Sequence, residues 1–496
     1  MRGFSTLEIL IALGIAATSI AACVLITFGT PMLLENTRLE RKAYSIASAL
    51  LTEAELTARM NFDLVAPIAS STEDSYERSL ALNYLYEGLA ARLTARVSWM
   101  DAHGRKKERA LDSLVTDPEA AAEQSCSPVV SGNWRKPHIL DTRRLSAEDL
   151  IPGVPGRYPI SAIATTRNRL VVAVSSTILP TDPTIFLFSS GSASERPEVM
   201  GSYDGASTSR VGYAAISTGK GYAYAASNFG SGSETTCRTG ACAQLQVFQL
   251  SEGLERIGSL SLPTHEPPYA LSAGNVTTPA KSIAYRKGFV YLGLEKTVSG
   301  YEFNIIDVRD PEEPRWRGGV AIGRGVSDID VQGGYAYLAT SDPARELVVI
   351  DVSDPADPRI AGEWDAPGAT NFGLGSALIA RPSRTYLGRA YVGNAPEFYV
   401  LDTSNVTSPL PMHENDLGTA LRPESVQGIV VRDFLIAILS GRRLTLWNVE
   451  EGRFASFGES IELSGTGTSL ACRGNALYAG SVDGEGNGIL TVLTGS

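Results

Sequence analysis

Residues able to do chemistry are sparse in this sequence, and most of them fall in turns. Cys237-Arg238-Thr239-Gly240-Ala241-Cys242 separates two thiols by four residues. Gly240 permits a tight reversal, so the two form a candidate disulfide in an oxidising compartment. Cys126 and Cys472 complete an even set outside the apolar amino terminus that holds Cys23, and their spacing leaves the pairing open. Asp483-Gly484-Glu485-Gly486-Asn487-Gly488 places oxygen donors at alternate positions, as the start of a calcium loop does. The distal glutamate of such a loop is replaced by Thr494, so a glycine-rich hairpin turn is the stronger reading. The histidines His103, His138, His265 and His413 stand in no nucleophile or metal-ligand motif, and Gly230-Ser231-Gly232 lacks the lysine of a phosphate loop. No catalytic residue and no cofactor is expected.

The amino terminus is more specific. Gly3-Phe4-Ser5-Thr6-Leu7-Glu8 precedes 20 uncharged residues, 9–28, enough to cross a bilayer as a helix. Arg2 favours a cytoplasmic start. Glu8 puts a carboxylate at the edge of the hydrocarbon, where it needs a partner. This stretch resembles the leader of type IV pilins and type II secretion pseudopilins. The resemblance implies cleavage by a prepilin peptidase between Gly3 and Phe4 and methylation of the new Phe4 amine. It also implies that Glu8 pairs with the Phe4 amine of a neighbouring subunit, which removes two charges from lipid at once. A lipoprotein signal fits less well, because the chain stays apolar beyond Cys23.

Such a leader needs a spine and a head. Leu39, Ala43, Ile46, Ala47, Leu50 and Ala54 recur at three- and four-residue intervals and predict an amphipathic helix over 36–59, with Pro31 as its start or a kink. Segments 93–99 and 109–115 read as strands joined by the polar turn 101–105, similar to the small head of minor pseudopilins. The expected organisation is a leader at 1–3, a spine helix at 4–59 that crosses the membrane over 9–28, and a small α+β head at 60–125. An all-β propeller at 126–496 completes it.

The propeller is read from repeats. Asn304-Ile305-Ile306-Asp307-Val308-Arg309-Asp310-Pro311 returns as Val349-Ile350-Asp351-Val352-Ser353-Asp354-Pro355, and again as Val400-Leu401-Asp402-Thr403-Ser404-Asn405. Each is a strand that runs into an acidic or proline turn. Apolar strands also begin near Leu170, Tyr222, Phe289, Tyr335, Ala390, Leu435 and Ala476. Periods of this length, made of short strands, signal blades, here seven. The Asp-Val-x-Asp-Pro motif resembles the LVIVD-repeat family of β-propellers. The last repeat lacks a strand, and His138–Arg144 is a candidate to supply it.

The formal charge is −11, which argues against nucleic acid as a partner. The basic run Arg105, Lys106, Lys107 and Arg109 reads as a solvated hairpin tip. The expected function is a minor pilin or pseudopilin-like subunit of a type IV pilus or type II secretion-type fibre. It would display the propeller for adhesion or protein binding, to a surface glycan or a protein. Its partners would be the prepilin peptidase, other pilin subunits and the inner membrane. It would stay in that membrane before assembly, with its soluble part periplasmic or extracellular. Bulk makes a low copy number or a tip position the steric expectation. The alternatives are a docking subunit of the assembly machine and a membrane-tethered periplasmic propeller enzyme.

Overall fold

Small residues decide how the amino-terminal helix meets its sheet. Helix α1 (Thr30–Met60) turns Ala43, Ala47, Ala54 and Ala58, all buried, toward Leu93, Ala95 and Val97 of strand β3 (Ala90–Met100). Alanine brings the helix backbone close to the sheet, and Leu50 and Leu51 fill the space beside it. The sheet is antiparallel in the order β1 (Ile68–Glu73), β2 (Tyr76–Leu85), β3, β4 (Lys106–Thr116). Strands β3 and β4 coincide with the two expected from sequence; β1 and β2 were not foreseen.

The structure is a computed structural model. It describes residues 13–20, 30–60, 65–116, 126 and 130–495, apart from short segments within those ranges that include 86–89, 146–156, 176–182, 190–196, 205–211, 229–242, 368–372 and 418–424. Residues 13–20 are helical and exposed. The expected spanning segment 9–28 otherwise lies outside the described residues. Among the described residues no helix is long and apolar enough to cross a membrane. The chain divides into two units, Met1–Pro118 and Glu119–Ser496.

The second unit is a β-propeller made of antiparallel four-strand meanders, named here sheets A to G, with a short fifth strand, Ile461–Glu462, added to sheet F. Their first strands are Ile160–Thr165 (A), Gly212–Gly219 (B), Ala280–Arg286 (C), Val326–Gln332 (D), Leu374–Arg381 (E), Val426–Arg432 (F) and Thr466–Arg473 (G). Each first strand contacts the first strand of the next sheet, and G contacts A, so the seven form a closed circuit among the described residues. Every one carries a β-bulge at the same register position, after Ile160, Tyr213, Ala280, Val326, Gly375, Val426 and Gly467.

An inner strand leaves one edge of its backbone without a ladder partner, a liability that short polar side chains relieve. Thr218 Oγ1 donates to the Thr165 carbonyl (3.0 Å) and Ser282 Oγ to that of Val326 (2.9 Å). Ser376 Oγ donates to the Val426 carbonyl (2.7 Å), while Ser469 Oγ accepts from the Ile163 amide (3.0 Å). Closure is supplied by strand β5 (Pro137–Leu145), which pairs antiparallel with Gly488–Gly495 as the fourth strand of sheet G.

The repeated acidic motif is two successive Asx turns. Asp351 Oδ1 accepts from the Ser353 amide and Asp354 Oδ1 from that of Ala356, both at 2.9 Å. Asp402 and Asn405 do the same with Ser404 and Thr407. Each turn packs on the outer strand of the preceding sheet, where glycine makes room. A Cβ at Gly318 would lie 2.6 Å from the Pro355 carbonyl oxygen, and one at Gly362 would lie 2.0 Å from that of Val406. Sequence misplaced one strand: the second strand of sheet E is Arg384–Ala390, so Ala390 ends it rather than begins it. Arg389 interrupts its apolar pattern and hid it.

Gly362→Ala forces backbone against backbone and should cost about 1–3 kcal/mol in urea unfolding. Gly253→Ala meets nothing within 4 Å and serves as the neutral control. Equal stability of the two variants would contradict this packing.

Candidate functional site

The first strands all start at one rim of the ring, here the upper rim. The described ends of the connections from fourth to first strands and from second to third strands lie there too. Sheet B carries the longest of these: residues 229–244 between its second and third strands, and a connection to sheet C that folds into a hairpin, Pro263–Glu266 with Ala270–Asn275. The candidate disulfide cysteines Cys237 and Cys242 belong to the first of these, outside the described residues, as do Gly3, Phe4 and Glu8 at the amino terminus.

Most acidic groups at the upper rim are already engaged by backbone amides. The residue immediately before the third strand is Gln244, Glu302, Glu346 or Glu397 in sheets B to E, and all four are buried. Gln244 Oε1 accepts from the Leu262 amide (3.1 Å), Glu302 Oε2 from that of Ile322 (2.8 Å), and Glu397 Oε2 from that of Leu417 (2.8 Å). Glu346 is bound in the same way by Ala366. Each side chain thus pins the chain leaving its own sheet toward the next. Burial pushes the carboxyls of Glu346 and Glu397 up, against the amide donors. Sequence reading missed these latches, although each glutamate stands five residues before the aspartate of its acidic turn.

Glu346 has a second partner. Arg389 of sheet E donates from Nε to Oε2 (2.8 Å) and from Nη2 to Oε1 (2.7 Å), with both side chains fully buried. Its Nη1 donates to the Pro396 carbonyl (2.7 Å), and its guanidinium lies 5.5 Å from the Tyr399 ring centre. The inner strand of sheet D carries a further acidic pair. Asp328 Oδ2 accepts from the Leu378 amide (2.7 Å) and Asp330 Oδ2 from that of Ala380 (2.9 Å), which ties sheet D to sheet E. Burial pushes the Asp328 carboxyl up to about 7, helped by the nearby Asp330 charge and opposed by the Leu378 and Ile329 amides.

The suspected calcium-loop residues form a closed turn. Asp483 Oδ1 accepts from the amides of Glu485 and Asn487, both at 2.9 Å. Arg144 of β5 donates from Nη2 to Asp483 Oδ2 (2.8 Å) and Glu485 Oε2 (2.6 Å). Burial raises the Asp483 pKa, yet the amide donors, the Asn487 side chain and Arg144 bring it to about 2. These oxygens thus clasp the closing strand. Among the described residues no group of three or more His, Cys, Asp or Glu side chains could hold a metal ion. Cys126 and Cys472, left open by sequence, are joined as a disulfide.

The first unit offers a surface of a different kind. Tyr44, Ser48, Thr52 and Leu56 follow one another at four-residue intervals on the face of α1 away from its sheet. Tyr44 and Leu56 are each 57% exposed. Thr52 Oγ1 donates to the Ser48 carbonyl (2.9 Å), so its polar demand is met within the helix. The result is a shallow, low-polarity groove flanked by Ser45, Ala49 and Glu53.

Residues 323–366 match the LVIVD repeat. The stretch spans sheet D, with both Asx turns and the Glu346 latch. No curated protein matches the sequence. Among solved structures, the β-propeller domain of Cps50 (Swd1) from Myceliophteria thermophila is similar at TM-score 0.47 and 11% identity, over 73% of this chain and 100% of that one. A periplasmic gluconolactonase of Pseudomonas aeruginosa is similar at TM-score 0.47 and 10% identity, over 78% and 97%. A protein from Lactobacillus plantarum follows at TM-score 0.44 and 9% identity, over 61% and 85%.

Breaking a buried ion pair strands a charge, whereas neutralising both partners does not. Arg389→Met should cost about 3–5 kcal/mol in urea unfolding, and the double variant with Glu346→Gln, which keeps an acceptor for the Ala366 amide, should recover part of it. A double variant as unstable as the sum of the two single variants would show that the pair is not coupled.

Proposed function

We propose that this chain is a pilin-like subunit, anchored through residues 9–28, that carries a seven-bladed β-propeller as a binding module on a type IV pilus or type II secretion-type fibre. The observation that carries the reading is the exposed stripe on α1. A helix that only covered its own sheet would turn charge to solvent on its far face. Here Tyr44, Ser48, Thr52 and Leu56 offer a narrow seam of small residues between two larger apolar ones, which suits lateral packing against other helices. The sequence supplies the rest: Gly3 and Phe4 as the processing site, and Glu8 as the membrane-edge carboxylate that pairs with the Phe4 amine of a neighbour.

Binding rather than catalysis is favoured for the ring, because Glu302, Glu346, Glu397 and Asp328 are committed to backbone amides. Sheet B has the longest stretches of chain between its strands and before the next sheet, 229–244 and 261–279, and connections on a rigid frame are where recognition arises. The acidic balance of the chain favours a neutral or basic partner, a glycan or another subunit.

Tyr44→Glu combined with Thr52→Arg should leave the melting temperature of the head within a few degrees and remove the protein from sheared fibres. Glu8→Val should do the same while membrane insertion persists, and mass spectrometry of the wild type should find methyl-Phe4. Normal fibre levels for both variants, or a lipidated Cys23, would defeat the proposal.

A further inference from the structure

The chain is fastened to the ring twice in succession before the first complete sheet begins. Cys126 is disulfide-bonded to Cys472, 346 residues later, with Cα atoms 5.2 Å apart. Cys472 is next to last on the inner strand of sheet G, at the lower rim, where its carbonyl accepts from Thr165 Oγ1 of sheet A (2.7 Å). Beyond Cys126 the chain is held by sheets F and G. The Ser131 amide donates to Asn475 Oδ1 (3.2 Å), and Trp134, 2% exposed, lies under the Arg432 guanidinium (5.9 Å). The Glu459 amide donates to the Arg135 carbonyl (3.2 Å). Only then does β5 begin, with Pro137 opposite Gly495.

We propose that the Cys126–Cys472 disulfide is a mechanical clamp that takes tension arriving from the amino-terminal side and keeps it off residues 127–471, strand β5 and sheets A to F among them. The order of attachments carries the inference. A pull on residue 136 reaches β5 at its Pro137 end and opens the pairs from Pro137–Gly495 toward Leu145–Gly488 one after another. Antiparallel strands loaded in this way unzip and never resist as a set. The disulfide lies upstream of that weak end. It passes the load to the inner strand of sheet G, which is ladder-paired along its length with Ala476–Val482 and tied to sheet A by Thr165 and Ser469. Residues 127–471 then sit inside a covalent loop and bear no end-to-end tension. That a load arises in the cell rests on the fibre-anchored reading above; the clamp itself is a property of the connectivity.

The test is force extension of the full chain in an optical trap, held at its amino terminus and beyond Ser496. Oxidised, the chain should extend only through the segments outside the loop, residues 473–496 among them, with no step from residues 127–471. Dithiothreitol added to the folded protein should release the 346-residue separation, about 1,200 Å of further contour length at roughly 3.5 Å per residue. The first ring event in the reduced chain should be a short step from residues 127–145. Opening the expected Cys237–Cys242 loop would add only a few residues and is separable by length. Release of the full contour length without reductant would overturn the proposal. So would a reduced ring that opens with no early short step, since no weak closure would then need protection. Failure of fibre incorporation in cells would count against the anchored reading and leave this measurement untouched.

Discussion

Everything in the second unit depends on one pairing, that of Pro137–Leu145 with Gly488–Gly495. A row of meanders has two open edges, and each edge exposes backbone donors and acceptors. Here the last sheet borrows its outer strand from the segment preceding the first, so the two ends of the row are held together. The Arg144 clasp on Asp483 and Glu485 fastens the upper end of that strand. Trp134 and the Cys126–Cys472 bond fasten the chain before its lower end. Inner-edge contacts such as Ser469 with Ile163 exist only because the circuit is closed.

The same economy of polar groups runs through the ring. Aspartates of the repeat form Asx turns, glutamates of the upper rim cap outgoing connections, and Asp328 and Asp330 tie sheet D to sheet E. An acidic chain thus employs much of its negative charge as internal hydrogen-bond acceptors, which explains how carboxylates at buried positions are tolerated. Cys126 is bonded at the lower rim, beside the innermost strands.

Legibility in the sequence followed the physics of each element. The acidic turns and the β5 closure were readable because turn chemistry and a missing strand leave local marks. The α1 stripe was readable because Ala43, Ala47 and Leu50 recur with helical period. Strand β1 was not, since Ile68–Glu73 is a polar edge strand with little to bury. Arg389 concealed a strand boundary because its charge is neutralised by Glu346, a residue 43 positions away that no local pattern connects to it. The Cys126–Cys472 bond was hidden for the same reason, as its partners meet only when the ring closes. At the candidate sites, Asp483, Glu485 and Asn487 had the spacing of a cation loop, but spacing could not reveal that Arg144 would occupy the oxygens.

The most direct test of closure as the organising constraint is hydrogen exchange on the full chain after deletion of residues 137–145. If the ring is one closed system, protection should fall in the Gly488–Gly495 partner strand and also in Ile160–Thr165 of sheet A, which depends on closure for its contact with sheet G. Loss of protection confined to Gly488–Gly495, with Ile160–Thr165 unchanged, would contradict the account.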